Sequence, residues 1–375
     1  MDSKSSLTEV AKVFFKLGLI AFGGPAAHIS MMEEELVTKR KWMTRSHFLD
    51  LVGATNLIPG PNSTEMTMHC GYERAGWLGL FVAGFTFIIP AVITTGLLAM
   101  FYVEYGKVPD IAPFLDGIKP AVMAIILGAV YKLGKKALKN WQLGIIGVLV
   151  ICASFSGVNE ITAILSAGLI GMLWFGRLGK NDVKSFAPIL LLQTTPLFIK
   201  KIGLGKLFFV FLKIGAVLFG SGYVLIAYLD GELVENLGWL SKPELLDAIA
   251  IGQFTPGPVL STATFVGYQV AGFWGAVLAT LGIFLPSFLF VLILNPIIPK
   301  LRKSQLASGF LDAVNIASLA IMVAVTLHLG YDILIDWKNA VISVIATSVV
   351  FGLRKVSSLW IVIGGSVLGY LLTFF

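Results

Sequence analysis

Charge is scarce in this chain: Lys, Arg, Asp and Glu make up 13% of 375 residues. A soluble domain of ordinary composition carries about 25%. Cysteine is almost absent, and Cys70 and Cys152 lie far apart in apolar surroundings, which excludes a disulfide framework or a thiolate metal site. No H-E-x-x-H, C-x-x-C, Walker A or G-x-S-x-G pattern occurs, so metal chemistry, nucleotide hydrolysis and serine nucleophiles have no sequence support. Neither a catalytic residue nor a metal or other cofactor is expected. The N-terminal stretch carries acids and has neither an A-x-A-like cleavage site nor twin arginines, so no cleaved signal is expected.

What fills the space is apolar: 57% hydrophobic residues and a mean hydropathy of +0.87. A larger soluble core would still need a charged coat, so the composition points to an all-α integral membrane protein. At about 20 residues per crossing, roughly ten transmembrane helices fit. The net charge of +7 reads as Lys/Arg-rich cytoplasmic loops rather than a nucleic-acid surface.

The chain contains an internal repeat. FFKLGLIAFGG from Phe14 matches FLKIGAVLFGS from Phe211, and the register holds through Glu35/Glu232, Trp42/Trp239 and Asp50/Asp247 to Pro59-Gly60-Pro61/Pro256-Gly257-Pro258. One residue is then lost, and Gly71-Tyr72, Ala75-Gly76, Pro90, Asp116 and Trp141 match Gly267-Tyr268, Ala271-Gly272, Pro286, Asp312 and Trp337. Chance likeness of apolar segments does not place polar, Pro and Gly matches in one register. The expected organisation is a first membrane repeat over 10–180, a cytoplasmic or interfacial linker over 181–206, and a second repeat over 207–375.

Equivalent loops carry opposite charge. Lys39, Arg40, Lys41 and Arg45 match a stretch with Asp230, Glu232, Glu235 and Glu244 against one Lys242. Glu104, Asp110 and Asp116 against Lys107 match Lys300, Arg302 and Lys303, and Lys132, Lys135, Lys136 and Lys139 match His328, Asp332 and Asp336. Under the positive-inside rule the repeats therefore lie inverted in the membrane. Five net crossings per half would produce that inversion, counting 12–32 as one span and letting the broken segments 47–71 and 245–268 re-enter. Both termini then fall outside.

Inverted repeats place a transport site near the midplane, on discontinuous helices. In each P-G-P the two prolines remove backbone donors and stop the helix. The helix that restarts presents free N–H groups and about half a positive charge, a site suited to an anion. The neutral donors around the two breaks suit an oxyanion: Asn56, Gly60, Asn62, Ser63 and Thr64 in the first half, Gln253, Gly257, Ser261 and Thr262 in the second. A packed, kinked helix is the competing reading, and the recurrence of P-G-P weighs against it. Earlier breaks at Gly23-Gly24 and Gly220-Ser221 allow close backbone approach, through tight packing or binding. Lys16, Lys213 and Lys119 are candidate counter-charges for the substrate, with snorkelling to the interface as the alternative. Glu65 and His69 are candidates for proton coupling.

The F-G-G-P start, the P-G-P centre and their F-G-S-G and P-G-P counterparts resemble the chromate ion transporter family, in its long, two-domain form, over about residues 10–375. The resemblance implies a multi-pass plasma-membrane protein that expels chromate and confers resistance, with sulfate as a competitor of like charge and shape. Expected partners are chromate or a similar oxyanion, the lipid bilayer and protons, with a homodimer as one admissible assembly. An inside-negative potential favours expelling a dianion by about 4.6 kcal/mol per 100 mV, twice the single-charge value. Two other classes stay open at this stage: an anion channel, whose flux would lack counterflow, and a membrane-embedded enzyme acting on a lipid, which would need a nucleophile or metal cluster.

Overall fold

The computed structural model describes residues 3–22, 24–55, 58–106, 112–175, 203–219, 222–294, 304–353 and 356–374. All regular structure in these residues is helical. Helix α1 (Ser3–Ile20) is followed by α2 (Pro25–Met32), which runs on as a π-helical turn over Glu33–Lys39. Then come α3 (Arg45–Thr55), α4 (Asn62–Tyr105), α5 (Ala112–Ala137), α6 (Trp141–Phe155) and α7 (Glu160–Phe175). The second series is α8 (Leu204–Val217), α9 (Leu225–Leu229) with a π turn over Asp230–Asn236, α10 (Lys242–Phe254), α11 (Thr262–Leu294), α12 (Gln305–Leu334), α13 (Trp337–Gly352) and α14 (Ser358–Leu371).

The two series agree in local detail. Their π turns lie in the register of the sequence repeat. Helix α4 is interrupted at Ala75 (φ −144°, ψ 25°) and Gly76 (φ 64°, ψ −155°), and α11 at Ala271 (φ −146°, ψ 24°) and Gly272 (φ 64°, ψ −154°). Glycine is required there because positive φ costs other L-residues. Each interruption is a full reversal. The Gly71 Cα lies against the Gly79 carbonyl, where a Cβ would come within 2.5 Å of Ala83 Cβ. Gly267 meets the Gly275 carbonyl and Ala279 in the same way. A straight helix would separate positions 71 and 83 by about 18 Å, at about 1.5 Å per residue. Helices α4 and α11 are thus each two antiparallel rods.

Two further reversals precede that corner. His47 at the start of α3 meets Glu73 at the end of the first α4 rod (3.2 Å), so the P-G-P segment enters and returns. Glu9 near the start of α1 meets Arg40, just past the π turn, at 3.1 Å, while Lys16 meets Glu35 at 3.7 Å. The stretch 12–32, expected as one crossing, therefore folds back at its glycine break. The physical reason is the charge in and around it: Glu9, Lys16, Glu35 and Arg40 are satisfied by one another only if both arms return to the same level. Among the described residues each half continues, after its two hairpins, with four rods: the second rod of α4, α5, α6 and α7 in the first, and the second rod of α11, α12, α13 and α14 in the second.

The last helices of each half pack on the other half. α7 lies along α12, with Gly168 and Gly171 against Phe310 and Ala313, and α14 lies along α5, with Gly365 and Gly369 against Ala121 and Gly117. The second rods of α4 and α11 touch where Phe81 stacks on Phe288, ring centroids 5.6 Å apart. Among the described residues four helices are long and apolar enough to span a membrane, and α6, α7, α13 and α14 are shorter apolar helices. Their outer faces are apolar as well. Trp77, Trp141, Trp174, Trp337 and Trp360 are exposed near helix ends, as interfacial anchors are.

Local sequence explains the helix starts. Ser241 and Glu244 form a reciprocal capping box on α10, with Pro243 in the first turn. Asn140 and Asp336 accept hydrogen bonds from the first-turn N–H groups of α6 and α13.

Candidate functional site

The P-G-P triplets have a single backbone donor each, because proline has none. That donor is already committed. Gly60 N–H donates to the Leu218 carbonyl at 2.6 Å, and Gly257 N–H donates to the Ala21 carbonyl at 2.8 Å. Leu218 and Ala21 are equivalent residues at the ends of α8 and α1, so each break is pinned to the opposite half by the same bond. Gly60 (φ 141°) and Gly257 (φ 93°) both adopt backbone conformations that other L-residues avoid. Neither glycine therefore has a free N–H group to offer a ligand. The donors left over at each tip belong to the first turn of the restarting helix.

Side chains at the tips are deeply buried. Ser63, Thr64, Glu65, Gln253, Ser261 and Thr262 all lie inside. Several are spent within the protein: Thr95 Oγ1 donates to Ser261 Oγ at 3.1 Å, and Thr262 Oγ1 donates to the Val259 carbonyl at 2.8 Å. Two donors are not. Among the described residues, Thr64 Oγ1 and Gln253 Nε2 have no hydrogen-bond partner. A buried donor without a partner costs about 1–3 kcal/mol, so an arriving oxyanion would recover that cost. Asn62 starts α4 and is half-buried, and Gly24 precedes α2. Asn56, Gly23, Gly220 and Ser221 lie outside the described residues, as does most of the linker.

The three lysines sit elsewhere. Lys16 and Lys213 pair with Glu35 (3.7 Å) and Glu232 (2.9 Å), one matched ion pair on each glycine-broken hairpin. Lys119 pairs with Asp116 at 2.9 Å and with Asp247 at 3.4 Å, while Tyr102 donates to Asp247 at 2.6 Å. That cluster ties α4 and α5 to α10. All three lysines thus have carboxylate partners in this conformation. The sequence held a signal for two of these pairs: Lys16/Lys213 and Glu35/Glu232 recur together in the repeat.

At the base of the first half, Glu9 accepts from Arg74 (2.7 Å), Arg40 and Trp42. The Arg74 hydrogen bond holds its carboxyl below the usual range. Arg74 also lies over Trp42, and Lys206 lies over Trp239 at the matching position.

Glu65 and His69 are both fully buried, one helical turn apart. Neither Glu65 oxygen has a hydrogen-bond partner among the described residues. Ser287, which sequence reasoning missed, shares its surroundings. A Cβ built on Gly60 would strike Glu65 Oε1 and come within 2.5 Å of Ser287 Oγ. No group of three or more metal-ligating side chains occurs among the described residues. A cavity between α13 and α14, lined by Ile342, Ala346, Trp360 and Ile361, is apolar and offers an anion nothing.

The model of the chromate transporter family matches this chain twice, over residues 8–172 and 205–370. A probable chromate transport protein of Synechococcus elongatus is 30% identical, covering 91% of this chain and 89% of its own length. The chromate transport protein of Cupriavidus metallidurans is 28% identical over 97% of this chain and 92% of itself. An uncharacterized transporter of Bacillus subtilis is 24% identical and matches 43% of this chain with 92% of its own length, about one half. No solved structure matches. The double match, the relatives that run nearly end to end with it, and the apolar spans make this chain a multi-pass membrane protein of the chromate transporter family.

Proposed function

We propose that this protein exports chromate, or a dianion of the same shape, across the plasma membrane by alternating access between two inverted repeats, 10–180 and 207–375. The observation that carries the reading is the pair of P-G-P tips, pinned reciprocally to the opposite halves and leaving Thr64 Oγ1 and Gln253 Nε2 without hydrogen-bond partners among the described residues. Neutral donors suit a transported anion, because they bind it without a fixed charge that would retain it. Family membership supports chromate as the substrate, as the names of the full-length relatives do. Inversion is supported by the Tyr102–Asp247 bond: it joins the end of α4 far from its own base to the start of α10, near the base of the second half. The Lys/Arg-rich base around Lys39, Arg40, Lys41 and Arg45 then faces the cytoplasm.

Everted vesicles test the function. Labelled chromate should accumulate when an imposed potential favours outward anion movement, and sulfate should compete. Absence of voltage-dependent flux from the purified, reconstituted protein would refute it. Thr64→Val and Gln253→Leu should each raise KM for chromate about tenfold or more, since a hydrogen bond to a charged group is worth about 1.5–3 kcal/mol.

Topology has its own test. Cysteines introduced as Lys41→Cys and Trp239→Cys should react with an impermeant maleimide from opposite membrane faces. Labelling of both from one face rules out the inverted arrangement.

A further inference from the structure

The two halves differ at one central point. In the first, Gly60 is flanked by Glu65 from its own half and Ser287 from the other, and neither side chain has a hydrogen-bond partner among the described residues. In the second, the equivalent residues are Gly257, Thr262 and Ala91. The Thr262 hydroxyl is spent on Val259, and Ala91 Cβ fills the place of the Ser287 hydroxyl, 2.8 Å from a Cβ built on Gly257. Duplication therefore produced two similar tips, of which one carries an ionisable group.

A carboxylate held away from water with no cation is costly, and such a group is normally neutralised by a proton. Ionisable side chains on the elements packed around α4 include Lys16 on α1, His28 on α2, Asp50 on α3 and Asp247 on α10, with His69 on α4 itself. None of them hydrogen-bonds Glu65. Lys16 is taken by Glu35 and Asp247 by Lys119 and Tyr102. A dianion bound by Thr64, the residue beside Glu65, would add repulsion to the cost of an ionised carboxylate.

Resting on the oxyanion reading above, we propose that Glu65 and Ser287 form a proton site whose occupancy is tied to that of the anion. The Glu65 carboxyl takes a proton from water on the open side, forming an O–H bond that donates to Ser287 Oγ. It carries that proton while the anion is bound and releases it to water on the other side. Proton and anion move together, and the net charge transferred per chromate falls from two to one.

Infrared titration of the protein in nanodiscs reads this site directly. The C=O stretch of a protonated carboxyl should be present in the wild type at neutral pH, absent in Glu65→Gln and shifted in frequency in Ser287→Ala. Saturating chromate should move its disappearance to higher pH by about one unit or more, which corresponds to about tenfold tighter anion binding by the protonated form. Glu65→Gln, whose amide stands in for the protonated acid, should bind chromate without the wild-type pH dependence. The proposal is overturned if no Glu65-dependent band exists, if Ser287→Ala leaves it unmoved, or if Glu65→Gln binds no chromate. A wild type that shows the band but binds no chromate in equilibrium dialysis refutes the chromate reading instead. Sulfate and phosphate then serve as the titrating anions, and failure of both to move the band overturns the coupling.

Discussion

Replacing Gly60 by alanine should abolish chromate transport while leaving a folded protein. The new Cβ would collide with the Glu65 carboxyl and approach Ser287 Oγ within 2.5 Å. Both atoms are ends of side chains, so they can move aside, but doing so displaces the polar pair beside the tip. The backbone adds a second cost. At φ 141° an alanine is strained, by about 1–3 kcal/mol for such conformations. Overpacking adds about 1–3 kcal/mol more. Relaxing toward negative φ would break the Gly60–Leu218 hydrogen bond and release the tip from the opposite half. Flux should fall by about a hundredfold or more, since each 1.4 kcal/mol is about tenfold. A normal elution profile in detergent, with no flux in proteoliposomes, is the expected pair of results. Transport close to wild type would show that the tip does not need its present geometry. Gly257→Ala meets Ala91 Cβ, which cannot swing away, so it should impair folding as well as flux.

Gly71→Leu should eliminate folded protein altogether. The atoms that a side chain would meet there are the Gly79 carbonyl and Ala83 Cβ. Backbone cannot step aside as a Glu or Ser side chain can. Opening the corner would separate both rods of α4, and the first rod carries the P-G-P tip. The corner also sets Arg74 toward Glu9 and Glu73 toward His47, so several contacts at the base would be lost with it. A protein of marginal stability, about 5–15 kcal/mol in total, does not absorb such a change. Gly267→Leu should behave identically, because Gly275 and Ala279 stand in the same places. Fluorescence-detected size-exclusion chromatography of both variants should show aggregate in place of the monodisperse peak. Recovery of a monodisperse peak from either would mean that the rods tolerate separation there.

Much of the fold is legible in the sequence, for a definite reason. Duplication repeats each unusual residue, so Pro, Gly and Trp positions that mean little singly become informative in pairs. The P-G-P breaks, the Ala-Gly corners and the element boundaries after residues 71 and 268 were all visible in that way. The fold-back of the first segment was not. FFKLGLIAFGGP reads equally as one kinked span and as an arm of a hairpin, and the decision lies in Lys16–Glu35 and Glu9–Arg40, contacts between distant positions. Ser287 was hidden for the same reason. Beside Pro286 in an apolar run it looks like a helix kink, and only its approach to Gly60 gives it a chemical neighbour. The lysines show the converse. Sequence marked them as candidate counter-charges, but Glu35, Glu232 and Asp247 become their partners only through tertiary packing, while Asp116 is a helical-turn neighbour of Lys119.

Scarcity of charge, together with the repeat, determined that this is a helical membrane protein made of two related halves broken at P-G-P. Those properties follow from composition and local backbone chemistry, which act wherever the residues stand. The tertiary structure alone decided which half each tip touches, and which donors and which carboxylate at the tips lack a hydrogen-bond partner among the described residues. Those outcomes depend on groups that are remote in sequence and adjacent in space, and no local rule sums them.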